Sequence, residues 1–368
     1  MKYKQIVTDT YMFYNSTGKQ NLFPDCVNMF SDNYKVGIDS IIFSAYSFNT
    51  ESSIKRIQKL REKCFILGDS GGFQILSGVT NYSDEYRRKT FEWLENVCDY
   101  SMLLDLPPYG IDFDYALKQS KDNFEYFKNN LKGKTKFLNI IHGNTVTLLQ
   151  RWFEMMKQFD CFNGGWALGS IKKTSTELNC YLIVASLALL YKEGVLENMS
   201  EEMYLHILGT GSVQILFCAF YFLNRIPNFK ATFSFDNSSI SQYTRLKYYI
   251  LNYFIIDKLR WVENYKSICQ CPVCQCEDFE KLKYEPMFDY VQLYGHNYIK
   301  SRETFNIISK ITKYDKKVFD ELLKPFTRTM INVIDEILSD KENALKIISH
   351  YESQVKNDFN SDMIDDLF

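Results

Sequence analysis

Short apolar runs with the alternation of β-strands are followed by longer amphipathic stretches between residues 36 and 250. This order is typical of repeated βα units that build a parallel sheet. Seven candidate strands cover residues 37–44, 64–69, 100–105, 137–142, 165–169, 204–209 and 232–236. Helical patterns cover residues 84–97, 115–131, 145–158, 175–191, 212–223 and 241–256.

The C-terminal ends of these candidate strands carry polar residues or glycines. They are Asp69, Asp105, His142, Gly169, Gly209 and Asp236. In a (β/α)₈ barrel the C-terminal strand ends meet at one mouth, and a doubly wound open sheet also binds ligands at its strand ends. We predict an α/β fold, a TIM barrel with one site at this mouth, and expect the missing eighth strand after residue 256.

Composition and length indicate how the chain is organised. Of its 368 residues 46% are hydrophobic, and 43 Lys+Arg stand against 45 Asp+Glu, which excludes a disordered chain and a highly basic nucleic-acid coat. We predict a TIM-barrel catalytic core over residues 1–256, a zinc-binding subdomain over 257–300, and a C-terminal helical segment with an acidic tail over 301–368.

The C-terminal segment is rich in lysine and arginine from about residue 300 onward. One interpretation is a solvated helical face. The other is a local basic surface for a phosphate backbone, which a near-neutral protein has to concentrate in one place if it binds nucleic acid.

Neither long apolar run, at residues 181–191 and 213–223, reaches the ~20 residues that span a bilayer. The N-terminus has no apolar core of signal-peptide length. We therefore expect a cytoplasmic protein with no membrane partner, whose ten cysteines are thiols or metal ligands.

Four of the ten cysteines fall within eight positions, while the other six are scattered among apolar residues as small buried side chains. Cys269, Cys271 and Cys274 form a C-x-C-x-x-C motif, and His296 follows with 21 residues between it and Cys274. Three thiolates and one imidazole predict a closed, tetrahedral, structural zinc site. Cys276 is a competing ligand, and a redox C-x-x-C is the weaker alternative because no strand-to-helix context surrounds it.

Two carboxylates stand where a barrel would bring them to one mouth. Asp105 precedes Pro107 and Pro108, which stiffen its loop, and Asp236 ends an apolar strand. Such a pair can divide its roles, one aspartate as an ionised nucleophile and the other as acid and base. Each aspartate taken alone is as well explained as the N-cap of the following helix.

The stretch Asp69-Ser70-Gly71-Gly72-Phe73-Gln74 also follows an apolar strand, and its glycines allow close approach of a flat ligand. Together with Asp105, with His206-Ile207-Leu208-Gly209 and with the zinc motif, this stretch resembles the tRNA-guanine transglycosylases. Those are zinc-containing TIM-barrel pentosyltransferases that exchange guanine for a 7-deazaguanine. The resemblance runs from about residue 68 to 297 and includes Ile141-His142-Gly143-Asn144, Gly165-Trp166-Ala167-Leu168-Gly169-Ser170 and Phe235-Asp236-Asn237-Ser238-Ser239.

The resemblance implies a role for each matched residue. Asp236 would be the nucleophile that attacks the sugar C1′, and Asp105 the general acid and base for the departing and incoming bases. Phe73 or Tyr109 would stack on the purine-like ring. The implied base pocket contains Asp69, Ser70, Gly72, Phe73, Gln74, Tyr109, His142, Gly143, Gly165, Trp166, Ala167, Gly169 and Gly209.

Two departures from the family bear on the substrate. His142 stands where the family carries a glutamine, and the Pro-Thr-Arg stretch after the nucleophile is replaced by Ser238-Ser239-Ile240-Ser241. The second departure is similar to the archaeal-type branch of the family and to the branch that inserts 7-cyano-7-deazaguanine into DNA. We therefore expect DNA as the substrate, with tRNA as the alternative and a noncatalytic subunit of such an enzyme as a further one.

The resemblance also implies partners. These are a nucleic acid, a 7-deazaguanine base and structural zinc. A helper ATPase and a homodimer are compatible with the family, and the sequence specifies neither.

Overall fold

Eight parallel strands close into a barrel in the computed structural model of the chain, which describes residues 1–8, 13–14, 20–21, 38–169, 175–252, 255–258, 269–275 and 290–359. The strands are β1 (Tyr3–Thr8), β2 (Phe13–Tyr14), β3 (Gln20–Asn21), β4 (Ser40–Ser44), β5 (Phe65–Asp69), β6 (Tyr100–Met102), β7 (Lys136–Ile141), β8 (Gly165–Leu168), β9 (Tyr204–Ile207), β10 (Thr232–Asn237), β11 (Tyr248–Asn252) and β12 (Ile255–Lys258). The barrel order is β1, β10, β9, β8, β7, β6, β5, β4. The predicted TIM barrel is therefore confirmed.

The helices alternate with the barrel strands and then continue beyond them. They are α1 (Glu51–Arg61), α2 (Gly72–Leu76), α3 (Asp84–Val97), α4 (Phe113–Asn130), α5 (Val146–Met156), α6 (Thr176–Lys192), α7 (Val195–Asn198), α8 (Val213–Leu223), α9 (Ser239–Arg245), α10 (Tyr290–Ile311), α11 (Pro325–Ser339) and α12 (Ala344–Phe359). Two 3₁₀ turns, Lys316–Val318 and Asp320–Leu322, precede α11. The alternation places the helices outside the parallel sheet, as the βα pattern requires.

Side-chain caps fix where five of the barrel helices begin. In each case a side-chain oxygen accepts the backbone N–H three residues later, which satisfies one of the donors left open at a helix start. The capping residues are Thr50 for α1, Ser83 for α3, Asp112 for α4, Thr145 for α5 and Ser175 for α6. These caps end the loops at the barrel mouth at defined points.

The eighth strand is β1, at the start of the chain. It pairs with β10 on one side, where Ile6 is opposite Asp236, and with β4 on the other, where Val7 is opposite Ile41. Our expectation of an eighth strand after residue 256 was wrong. Residues beyond α9 instead form the separate antiparallel pair β11 and β12.

The helix predicted over residues 241–256 ends early. It begins at Ser239 and ends at Arg245, and Lys247 then adopts a left-handed backbone with φ 55°. A non-glycine residue rarely takes this conformation, which turns the chain out of the helix. The aromatic and β-branched residues that follow favour a strand, so they form β11.

The C-terminal helices cover the most apolar part of the outer layer. In α6, all residues from Asn179 to Tyr191 are buried, and α11 and α12 share one core cluster with α6 and α8. A helix that is apolar on every side must be covered on every side. The C-terminal helices therefore bury surface that the barrel helices would otherwise expose.

The domain boundaries at 256 and 300 remain predictions. Residues 259–268 and 276–289, which include Cys276, lie outside the described part of the chain, as does Cys26. Within the described ranges, none of the helices is both long enough and apolar enough to cross a membrane.

Candidate active site and metal centre

A cavity of about 440 Å³ opens at the C-terminal end of the barrel. Ten residues predicted from the sequence lie along its wall, although their positions span 167 residues of chain. They are Asp69, Gly72, Phe73, Gln74, Asp105, Tyr109, His142, Gly169, Gly209 and Asp236. Lining residues that the sequence did not indicate are Ile42, Ser44, Tyr46, Ser47, Pro107 and Leu208.

Two predicted pocket residues, Ser70 and Gly143, pack into the protein instead. The Ser70 hydroxyl donates to the carbonyl oxygen of Leu103 at 3.0 Å. Gly143 faces the start of α5, where a Cβ atom would lie 2.5 Å from the backbone nitrogen of Leu149. Ser70 and Gly143 therefore stabilise the loops that carry Asp69 and His142.

Three further predicted pocket residues belong to β8 itself. Gly165 begins the strand, at the opposite end from the mouth, and lies against the backbone of Tyr204. The Trp166 ring packs on Phe153 of α5, with ring centroids 5.3 Å apart. Ala167 is fully buried. Only Gly169, just past the end of β8, reaches the cavity.

Asp236 is fixed by two hydrogen bonds to one of its oxygens. Its Oδ1 accepts the backbone N–H of Gly209 at 2.6 Å and lies 3.2 Å from Nε2 of His206. Asp236 is 7% exposed and His206 is fully buried. Two donors on one carboxylate oxygen hold the group in one orientation at the mouth of the barrel.

In the sequence, His206 stands out only as the first residue of the motif His206-Ile207-Leu208-Gly209. The side-chain alternation along β9 was the available signal, because Leu208 lines the cavity and His206, two residues earlier, points to the same side.

Asp105 is paired with the other histidine of the site. His142 Nε2 lies 2.6 Å from Asp105 Oδ2, and both side chains are buried. The imidazole edge packs directly over Gly169, where a Cβ atom would overlap the ring. Trp152 packs against the same imidazole at 4.9 Å between centroids. His142 is thus held in one orientation toward Asp105.

Asp69 has an unusual acidity for a carboxyl group. Burial raises its pKa from 3.8 to about 6, the backbone N–H of Gly71 opposes this, and the charges of Asp105 and Asp236 raise the pKa further. These electrostatic effects mean that three carboxyl groups share one small site. A carboxyl with a pKa near neutrality can both donate and accept a proton at working pH.

Among the buried polar atoms of the cavity residues, Nδ1 of His142 and Oε1 of Gln74 have no hydrogen-bond partner within the described ranges. Buried polar atoms are normally paired, and an unpaired one needs an explanation such as a ligand or a water molecule. Both atoms are therefore candidates for contacts with a bound molecule.

The two aromatic candidates for stacking differ in their freedom. Phe73 is 56% exposed at the mouth of the cavity. The Tyr109 hydroxyl donates to the carbonyl oxygen of Gly169, and burial raises the pKa of that hydroxyl strongly. A flat ligand could stack on the Phe73 ring without breaking a hydrogen bond such as the one that Tyr109 makes.

The four predicted zinc ligands form a buried cluster. Their ligand atoms all lie within 4.8 Å of one another. His296 Nδ1 is 3.7 Å, 3.4 Å and 3.2 Å from the sulfurs of Cys269, Cys271 and Cys274. A tetrahedral zinc with the usual bond lengths separates sulfur from nitrogen by about 3.5 Å. The cluster could therefore bind a metal such as zinc.

The surroundings of His296 set its ring for metal binding. Its Nε2 lies 2.9 Å from the carbonyl oxygen of Ile250, which only accepts, so Nε2 carries the proton and Nδ1 presents its lone pair to the sulfurs. The Tyr249 ring stacks on the imidazole at 3.8 Å, and its hydroxyl lies 3.0 Å from Cys274 Sγ. The hydrogen bond with Cys269 raises the pKa of the Cys274 thiol, and a bound cation would oppose this by favouring the thiolate form.

Asn297 joins the cysteine–histidine cluster to the segment after Asp236. Its Oδ1 accepts the backbone N–H of Ile250 at 3.0 Å, and its Nδ2 donates to Thr244 Oγ1 at 3.2 Å. Thr244 belongs to α9, which begins two residues after β10 ends. The cluster therefore braces the helix that follows Asp236.

The basic C-terminal segment is partly neutralised by its own acids. Three ion pairs, of which the last two are partly exposed on both sides, join Lys300 to Glu303, Lys316 to Asp335 and Arg328 to Asp320. Such pairing is what a solvated helical face shows. The phosphate-binding interpretation of this segment remains a prediction.

No protein-family model matches the chain, and no curated protein matches it either. Among solved structures it is similar to CdNal from Clostridium difficile in complex with mannosamine, with 11% identity and a TM-score of 0.36. That similarity covers 96% of this chain and 100% of the other. A likeness at this level carries no information about the chemistry of this chain.

Proposed function

We propose that the protein is a base-exchange transglycosylase that replaces guanine in nucleic acid, preferably DNA, with a 7-deazaguanine such as 7-cyano-7-deazaguanine. The observation that supports this most is that Asp105 and Asp236, 131 positions apart in the chain, line one cavity. Catalysis of glycosyl transfer with retention needs two carboxyl groups near one anomeric carbon. The unpaired polar atoms of His142 and Gln74 give the same cavity groups that could read the edge of a base.

The first half of the reaction forms a covalent intermediate. A carboxylate oxygen of Asp236 bonds to the sugar C1′ while the bond from C1′ to the guanine nitrogen breaks. The electron pair goes to that nitrogen, which takes a proton from a carboxylic acid of the site. Guanine leaves as the neutral base, and the acid becomes a carboxylate.

The second half reverses these steps with the new base. The nitrogen of the incoming 7-deazaguanine gives its proton to the carboxylate and bonds to C1′, while the bond to Asp236 breaks. Two displacements at C1′ retain its configuration. The site returns to its starting protonation state, with Asp236 ionised.

Two residues are candidates for the proton carrier. The family resemblance implies Asp105, which is hydrogen-bonded to His142 at 2.6 Å. Asp69 is the second candidate, because a pKa of about 6 keeps part of its population protonated near neutral pH. Comparing Asp105→Asn with Asp69→Asn separates them: loss of the proton carrier abolishes exchange at every pH, whereas loss of a binding group mainly raises KM.

A DNA substrate implies that the target base leaves the helix. The cavity of about 440 Å³ lies inside the barrel mouth, where a base within a duplex could not reach Asp236. Enzymes that act on a base in DNA use single-stranded substrate or flip the nucleotide out. The tRNA alternative needs no flipping of a paired base if the guanine is already unstacked in a loop.

The deciding experiment incubates the protein with labelled guanine and either plasmid DNA or tRNA, followed by mass spectrometry of the nucleosides. We expect label in DNA, none with Asp236→Asn, and normal incorporation with Asp335→Asn, a matched change in α11. Label only in tRNA favours the alternative substrate. Activity of a complex that survives Asp236→Asn favours the noncatalytic subunit, and no label in either nucleic acid refutes the proposal.

A further inference from the structure

A serine and a histidine are buried directly beneath Asp236 in the barrel. Ser234 lies two residues before Asp236 on β10, so both side chains point to the same side of the strand. His206 on β9 is the register partner of Ser234. Both residues are fully buried, in contrast to the solvent-facing site above them.

The hydrogen bonds of this trio fix which atom carries each proton. Asp236 Oδ1, when ionised, only accepts, so His206 Nε2 donates to it over 3.2 Å. In a neutral imidazole Nδ1 is then an acceptor, and the Ser234 hydroxyl donates to it over 3.0 Å. Ser234 therefore selects the tautomer of His206 that can bond to Asp236.

We infer that His206, set by Ser234, is a positioning residue for the Asp236 carboxylate, an inference that rests on the proposed function. Its N–H and that of Gly209 hold one carboxylate oxygen from two directions, which fixes the rotation of the group relative to C1′. The same two donors stabilise the negative charge that returns to Asp236 when the incoming base displaces it. Preorganised donors of this kind act on the charge of the transition state without reorganising.

The test compares variants of His206 and Ser234 in the exchange assay. His206→Phe removes both hydrogen bonds and keeps a planar ring, whereas His206→Gln keeps an N–H donor near the position of Nε2. Ser234→Ala leaves the imidazole but no longer selects its tautomer. Ser101→Ala is the matched control, since it removes a buried serine hydrogen bond, to the carbonyl oxygen of Gly68, from another barrel strand.

We expect His206→Phe to lower kcat about 10- to 100-fold with KM within about twofold, as for loss of a hydrogen bond to a charged group. His206→Gln should recover part of the loss, Ser234→Ala should lie between, and Ser101→Ala should match the unmodified protein. If His206→Phe does not fold, the other two variants decide, because they leave the volume of the core nearly unchanged.

Two results would overturn the inference while the proposed function stands. One is exchange by the His206 and Ser234 variants at the rate of Ser101→Ala. The other is an effect confined to KM, which a group acting on the nucleophile does not produce. If the unmodified protein exchanges no base at all, the proposed function fails and this inference fails with it.

Discussion

Gly169 is the residue whose missing side chain makes room for the imidazole of His142. We predict that Gly169→Ala lowers the exchange rate at least about tenfold, because the added methyl group overlaps the ring and breaks the 2.6 Å bond between His142 and Asp105. Exchange kinetics with a melting curve measure the effect.

A double-variant cycle tests the stated cause. On a His142→Asn background the smaller amide leaves space for the methyl group, so Gly169→Ala should add little to the loss already caused by His142→Asn. If the two losses simply add, the overlap is not the reason for the effect.

Asp69 should make folding stability depend on pH. Its pKa in the folded protein, about 6, lies above the ordinary 3.8, so the folded state binds more protons and the free energy of unfolding falls as pH rises from about 4 to 6. Asp69→Asn removes the ionisable group and with it this fall in the free energy of unfolding. We expect the variant to be more stable than the unmodified protein by about 1–2 kcal/mol at pH 8, with a smaller difference at pH 4.

Chemical denaturation at the two pH values measures this difference. Asp335→Asn, on a half-exposed helix position, serves as control and should show no comparable pH trend. A difference that stays constant from pH 4 to 8 would contradict the assigned acidity of Asp69.

At this scale the sequence predicted residues that end strands and missed residues that lie inside the barrel. Asp69, Asp105 and Asp236 each interrupt an apolar run, which makes them visible along the chain. His206 and Ser234 lie within such runs, and their importance comes from a cross-strand pairing that only the register of β9 and β10 creates. Local patterns do not contain that register.

Among the elements, α10 carries His296 and Asn297 and so connects the cysteine cluster to β11 and α9. We predict that Cys271→Ser lowers the bound zinc from one per chain to near zero, because one of four ligands is lost. Hydrogen exchange should then quicken in β11 and residues 269–275, while α1 stays protected.

Metal analysis and hydrogen exchange of Cys271→Ser and Cys161→Ser check this prediction. Cys161 is a half-buried cysteine outside the cluster, so its variant should keep the metal. We also expect base exchange to persist longer than protection of β11 during treatment with a chelator. A metal-free protein that melts like the loaded one would contradict a structural role.

The elements that sequence patterns predicted best are the ones with uniform surroundings. The buried barrel strands are short apolar runs, and α6 is almost entirely apolar from Cys180 to Tyr191, so both stand out from the polar loops. The segment after Arg245 was wrongly predicted to be helical, because a short run of apolar residues fits the periodicity of a helix and that of a strand equally well. Contacts with Asn297 and His296 decide in favour of the strand.

For the molecule as a whole, β1 closes the barrel. Val7 is fully buried and is opposite Ile41 of β4. We predict that Val7→Asp destabilises the protein by more than about 3 kcal/mol, because it buries an unpaired charge at the closing seam. Thermal unfolding followed by circular dichroism measures this.

Lys2→Gln is the control for the seam, since Lys2 is exposed and pairs with Glu201 only at the surface. It should change the melting temperature little. If Val7→Asp has the same melting temperature as the unmodified protein, β1 is dispensable for closing the barrel.

The sequence predicted seven of the eight barrel strands and the mouth at which their polar ends meet. It did not predict β1, because Gln5 and Lys4 interrupt its apolar pattern. Gln5 bonds to Ser301 of α10 at 2.6 Å, a long-range contact that local alternation cannot reveal.

Strand β10, which carries Asp236, pairs with β1. Their register partners Tyr3 and Phe233 are 230 positions apart in the chain. During synthesis, the edge of β1 that pairs with β10 therefore stays unpaired until about 230 further residues have been made. Closing the barrel over so long a span of chain is slow because of its entropic cost. A nascent chain halted before β10 lacks Asp236 and exposes an unpaired strand edge that can aggregate.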